Sequence, residues 1–227
     1  MTDGPAPHRT PTFSEWTGDR MLDDTRRRTA HMHNYLTDVQ RAVGKVSLTE
    51  LSDVAAILER AYTAGRTVFT CGNGGSAATA SHLAVDLSKN TRLTGTPPLR
   101  VMSLVDHVPA ITAWANDVGY ESVFSGQLTG LAGEGDVVIG ISTSGNSPNV
   151  LEALRHAREL GAMTVGLLGP TAVRAAALCD RWVTAPAESI EEQEDIHMMI
   201  AHLLTRHMRE FVRAGRIVSA SAQGSGR

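Results

Sequence analysis

The sequence predicts a doubly wound α/β fold: one parallel sheet of five strands, covered by helices on both faces and preceded by two further helices. Three observations carry that prediction. Five short, largely apolar runs alternate with segments of helical period, the pattern of a parallel sheet buried on both sides. The chain has 227 residues, 42% hydrophobic and 20% charged, which suits one packed domain of this kind. Two loops of unusual composition, one rich in glycine and one in hydroxyls, follow the first and third runs, the carboxyl ends where such folds bind ligands.

In chain order, residues 1–20 carry Pro5, Pro7 and Pro11 with Gly4 and Gly18 and no periodicity. They are expected to form a flexible tail, with Phe13 and Trp16 able to pin part of it to a surface. A single domain is expected over 21–215. Met32, Leu36, Val39 and Val43 recur at steps of four, three and four, one face of a first helix. Ser47 and Glu50 have capping-box spacing for a second, whose apolar face holds Leu51, Val54, Ala55 and Leu58, with Gly65 placed as its stop signal. A strand at 67–71, a helix at 77–89 and a strand at 99–104 follow, then helical segments at 108–116 and 121–131. The run 136–141 reads as a third strand. Ser147 followed by Pro148 opens a helix that ends near Gly161. Strands at 163–168 and 181–184 come next. Ser189 with Glu192 starts a long last helix to about 214, and 216–227 is expected to be a second flexible tail.

Composition narrows the function. With 21 basic against 24 acidic residues the net charge is −3, and no basic stripe offers a grip on nucleic acid. No stretch approaches the roughly 18 apolar residues of a membrane span, and the N-terminal region has no apolar core of a secretory signal. Cys71 and Cys179 are the only cysteines, too few for a disulfide framework, and both are expected buried and reduced. These features fit a cytoplasmic protein without nucleic-acid or membrane partners.

The first loop is Gly72-Asn73-Gly74-Gly75-Ser76. Its glycines permit a sharp turn and close approach of a ligand, and the helix behind it presents free N–H groups to an anion. A tight turn without a ligand would use the same residues, and the glycine spacing is not that of a dinucleotide-binding fingerprint. The second loop, Ser142-Thr143-Ser144-Gly145-Asn146-Ser147, places four hydroxyls between a buried strand and a helix start. That concentration exceeds what a capping turn needs and suits a phosphate or sugar hydroxyl; lacking lysine, it is no nucleotide P-loop.

The stretches CGNGGSAATASHLAVDL, WANDVGYESVF, GDVVIGISTSGNSPNVLEAL and EQEDIHMMIAHLL resemble, in order and spacing, the phosphoheptose isomerase group of the sugar isomerase (SIS) domain family. The likeness extends over residues 22–212. It implies a flavodoxin-like sheet, a homotetramer, and isomerisation of sedoheptulose 7-phosphate to D-glycero-D-manno-heptose 7-phosphate. It also implies a metal site whose positions fall here on His82, Asp86, Glu194 and His202. Two of the four depart from the usual pattern, Asp86 standing for a glutamate and Glu194 for a glutamine. Lys89-Asn90 stands where an arginine is common.

His82 and Asp86 lie four apart and share a helix face. Glu194 and His202 lie eight apart, about 12 Å along a helix at ~1.5 Å per residue. One rigid helix cannot bring both to one ion, so the active site is expected at a subunit interface; Glu194 paired with His197 is the structural alternative. The expected chemistry is proton transfer through an enediol, with Asp86 as base, His202 as acid and one divalent ion per site, zinc by preference for histidine-rich ligands. Gly74, Gly75, Ser76, Ser142, Thr143, Ser144 and Ser147 are expected around the phosphate, and Asn73, Asp117 and Glu194 near the sugar. Asn116, Asp106 and His107 are further polar candidates, and Trp114 and Trp182 read as packing residues. A non-catalytic member of the fold, binding sugar phosphate or a replication initiator, would keep the serine loop but has no need of the histidines and acids.

Overall fold

The computed structural model describes the backbone of residues 18–224 and the side chains of residues 21–215. Phe13, Trp16 and nearly all of the expected N-terminal tail lie outside the described residues. Five parallel strands, β1 (Thr67–Gly72), β2 (Arg100–Ser103), β3 (Val137–Ser142), β4 (Met163–Leu168) and β5 (Arg181–Thr184), form one sheet in the order β2-β1-β3-β4-β5. That is the flavodoxin-like order, and its switch point lies between β1 and β3. The two unusual loops leave these neighbouring strands, so the topology sets them side by side.

Side chains alternate between two cores. Val68, Val137, Ile139, Ile141, Val165 and Leu167 pack under α2 (Leu48–Thr63), α3 (Gly75–Asn90) and α8 (Ile190–Gly224). Phe69, Cys71, Val138 and Leu168 face the opposite way, onto the side that holds α4 (Val108–Asp117), α5 (Ser125–Leu128), α6 (Pro148–Glu159) and α7 (Val173–Ala176). Ser47 Oγ accepts from the Glu50 N–H at 3.2 Å, as its spacing predicts. The Glu50 carboxylate does not close the capping box; it accepts from the Thr184 N–H at 2.9 Å and ties α2 to β5. Ser189 Oγ accepts from the Glu192 N–H at 3.3 Å at the start of α8.

Two element assignments are corrected. The helix expected at 121–131 is a 3-10 turn, Tyr120–Ser122, followed by the single turn α5. Gly119 and Gly130, both with positive φ, bracket the segment, and Val123, Phe124 and Leu128 are all drawn into the core. The helix expected to stop near 214 continues to Gly224, so residues 216–224 of the expected tail are helical; no proline interrupts them, and 225–227 lie outside the described residues. The face predicted on α1 (Gly18–Val43) is largely uncovered: Met32 and Leu36 are each 66% exposed. This helix meets α8, where Tyr35 Oη donates to Asp195 Oδ2 at 2.6 Å. Among the described residues no helix is long and apolar enough to cross a membrane.

Candidate active site at the sheet switch point

Loop 2 begins where β3 ends. The Ser142 hydroxyl, nearly buried, accepts from the Gly145 N–H at 3.0 Å, and Ser144 Oγ accepts from the Asn146 N–H at 3.2 Å. These two serines shape the turn. Gly145 has φ +62°, and a Cβ there would overlap Ala172, so only glycine fits. Ser147 is the N-cap of α6 with extended backbone, but its hydroxyl makes no capping bond. It stands at the N-terminus of a twelve-residue helix that begins with Pro148, where the Val150 and Leu151 N–H groups donate to the Ser147 carbonyl and the positive dipole end favours an anion.

Loop 1 has a different electrostatic setting. Gly74 is the N-cap of α3, with φ +56°, and Ser76 is buried behind it. A Cβ on Gly75 would overlap the carboxylate of Glu194. The acid on α8 thus lies on the first turn of α3, where the helix dipole favours negative charge. A phosphate at that turn would meet a like charge already in place. Of the two loops, the hydroxyl-rich one is the better phosphate seat.

About two to three turns further along the same helices, His82 and Asp86 of α3 meet His202 of α8. The two Nε2 atoms are 2.9 Å apart, with the rings edge to face, and His82 Nε2 is 3.3 Å from Asp86 Oδ2. The three ligand atoms lie within 4.8 Å of one another. The other Asp86 oxygen, Oδ1, accepts from Asn90 Nδ2 at 3.1 Å. Two converging imidazole nitrogens and a carboxylate oxygen are a donor set that could hold a divalent metal ion and leave a coordination position open. Between the two facing nitrogens only one can donate a proton to the other; a cation satisfies both lone pairs. The structure therefore unites three of the four expected ligands. Glu194 lies against Gly75, seven residues before His82, and stands off the group within one chain.

Other expected residues are distributed as follows. Asn73 pairs with Asn149 and receives Tyr120 Oη at 3.2 Å. Asp117 accepts from Asn116 Nδ2 at 2.7 Å on the exposed end of α4. Asp106 and His107 are exposed. Trp114 packs over Gly126, as a packing residue should, whereas Trp182 is 38% exposed. Cys71 and Cys179 are free and buried, and burial pushes both thiols up to about 12, which removes them as nucleophiles.

Two residues near the site escaped the sequence reading, and a third, His197, entered it only as a structural partner for Glu194. Asn149 is buried between the loops. Gln193 donates to the Ala187 carbonyl at 3.0 Å and lies with the Thr143 carbonyl against Gly169, propping loop 2 from below. His197, one turn further on, is fully buried. Desolvation pushes its pKa down to about 4, against a smaller opposing pull from the Leu168 carbonyl. That carbonyl faces the ring without reaching hydrogen-bond geometry, and neither ring nitrogen has a bonded partner among the described residues. The signal for Gln193 and His197 is their four-residue spacing on the inner face of α8; Asn149 has none.

A flavodoxin-like sheet with a hydroxyl-rich loop at its switch point and a histidine–acid cluster behind defines a sugar-isomerase type of domain, and the SIS domain family matches residues 32–169. The phosphoheptose isomerase of Solidesulfovibrio magneticus is 45% identical over 158 residues, covering 69% of this chain and 76% of that protein. That of Desulfovibrio desulfuricans is 42% identical over 156 residues, with 69% and 74% covered. The solved phosphoheptose isomerase of Neisseria gonorrhoeae superposes with a TM-score of 0.74 at 30% identity, covering 82% of this chain and 98% of that one. The chain belongs to the phosphoheptose isomerases of the SIS domain family.

Proposed function

We propose that this chain isomerises sedoheptulose 7-phosphate to D-glycero-D-manno-heptose 7-phosphate. The observation that carries the proposal is the meeting of His82, Asp86 and His202 behind a phosphate-type loop. The reaction moves a proton between neighbouring carbons and needs a base, an acid for the oxygen and stabilisation of the enediolate. Asp86, steadied through Oδ1 by Asn90, turns Oδ2 inward as the base. With Nε2 engaged in the histidine–acid group, His202 keeps its proton on Nδ1 and serves from that nitrogen as the acid that protonates the oxygen. Thr143 and Ser147 offer hydroxyls to the phosphate on a turn shaped by Ser142 and Ser144, and binding energy from that remote group positions the reacting end. His82, Asp86 and His202 would hold one divalent ion, zinc by its preference for imidazole; when bound, it polarises the substrate carbonyl.

The fourth ligand in this reading is Glu194 of another copy, in a homotetramer with sites at its interfaces. Two features support that assembly: the separation of Glu194 from the group within one chain, and the uncovered apolar surface. That surface includes α1 and a groove of about 350 Å³ between α2 and α8, lined by Leu48, Leu51, Leu203 and Leu204. Buried free thiols and a phosphorylated substrate fit a reducing, cytoplasmic setting. A purely regulatory sugar-phosphate binder has no use for the histidine–acid group.

The test is Asp86→Asn. Turnover of sedoheptulose 7-phosphate should fall by about a hundredfold or more, the usual worth of a general base, while sugar phosphate binding stays measurable. Full activity in this variant would remove Asp86 from the mechanism.

A further inference from the structure

Loop 1 and loop 2 are joined side chain to side chain. Asn73 Nδ2 donates to Asn149 Oδ1 at 2.8 Å, and Asn149 Nδ2 donates back to Asn73 Oδ1 at 2.8 Å. Asn149 sits on the first turn of α6, only 1% exposed. The orientation of the pair follows from the backbone. The Val150 N–H, which donates to the Ser147 carbonyl at 3.1 Å, also faces the Asn149 amide at 3.0 Å, and an NH2 group turned towards that donor would be repelled, which fixes Oδ1 there. That choice fixes Nδ2 of Asn73 opposite, and leaves Asn73 Oδ1 to accept from both Asn149 and Tyr120 Oη. A carbonyl oxygen has two lone pairs and an amide nitrogen two hydrogens. Asn73 therefore has its oxygen filled and one N–H left.

We infer that Asn149 is a positioning residue: it locks the glycine loop to the phosphate loop across the switch point and restricts Asn73 to one role, that of a single donor aimed at a sugar oxygen. This deepens the isomerase reading and rests on it. The lock sets the distance between the phosphate seat and the reacting end of the sugar, so its loss should be felt by a ligand that spans both loops and not by one that fills loop 2 alone.

The experiment is a double-mutant cycle of Asn73→Ala and Asn149→Ala on the full chain, read by titration calorimetry with two probes, inorganic phosphate and sedoheptulose 7-phosphate. Asn149→Ala should weaken the sugar phosphate about tenfold, the scale of two lost hydrogen bonds, and phosphate by less than about twofold. Adding it to Asn73→Ala should cost little more, because the partner is already gone. Equal losses for both probes, or additive losses for the sugar phosphate, would overturn the inference. Should Asn149→Ala not fold, Tyr120→Phe, an exposed change, releases the outer bond to Asn73. It is expected to weaken the sugar phosphate about threefold without changing phosphate binding, and no difference would count against the lock. If the wild type binds no sedoheptulose 7-phosphate, the isomerase reading falls separately. The cycle is then read on unfolding in denaturant, where coupling between the two asparagines supports the lock and additivity overturns it.

Discussion

His197 sits in full burial between α8 and the end of β4, its nitrogens unpaired among the described residues. An imidazole there is tolerated only while neutral. Its pKa in the fold is about 4, below the ordinary 6.5, so the sign of its pH effect is set. Above pH 6.5 neither state binds the proton. As pH falls from 6.5 towards 4 the unfolded chain takes up a proton that the native state refuses, and stability is lost, by about 3 kcal/mol at pH 4. Denaturant unfolding at pH 7 and pH 4 checks this. His197→Leu should hold its stability at pH 7 and lose most of the acid sensitivity; parallel curves for wild type and variant would contradict the assignment. At the residue level, helical spacing put His82 and Asp86 on one face, while His202 was reached through the family resemblance. His197, read as a structural partner of Glu194, has no hydrogen-bond partner among the described residues, and its burial separates it from the other histidines. Asn149 was invisible for a related reason: its meaning lies in a partner 76 positions away.

At the scale of elements, three serines precede helices, and they differ in use. Ser47 and Ser189 accept capping bonds, while Ser147 does not. Ser47→Ala should therefore cost about 1 kcal/mol of stability, whereas Ser147→Ala should cost under about 0.5 kcal/mol, since no cap is lost. Ser147→Ala should instead raise KM for the sugar phosphate several-fold. Thermal unfolding with steady-state kinetics on both variants separates the roles, and a large stability loss at Ser147 would make it a mere cap. Strands were legible almost to the residue: 163–168 and 181–184 match β4 and β5, because an apolar run bounded by turn residues has little freedom. The helix expected at 121–131 failed because its pattern is set by tertiary contacts, with Gln127 Nε2 donating to the Leu104 and Val123 carbonyls. One-turn α7 is too short to show a period.

At the scale of the whole molecule, parallel packing of α3 against α8 explains why the predicted ligand set divides. Gly75 meets Glu194 and, about seven residues on, His82 meets His202. The division was foreseeable from helical rise, but the place where Glu194 goes was not, because it depends on a glycine of another helix. If Glu194 of one copy completes the metal group of another, Glu194→Ala and His202→Ala proteins, each inactive, should recover activity when unfolded together and refolded as mixed assemblies. No recovery in verified mixed assemblies would mean that each site is built within one chain. The central claim is that the hydroxyl loop and the histidine–acid group together isomerise a seven-carbon sugar phosphate with a bound metal. Its most direct measurement is incubation of the purified protein with sedoheptulose 7-phosphate, with and without chelator, followed by detection of the aldose. Aldose formed by the metal-replete protein, and lost with chelator, is the predicted result; no aldose from metal-replete protein, or the same rate after the metal is removed, would contradict it.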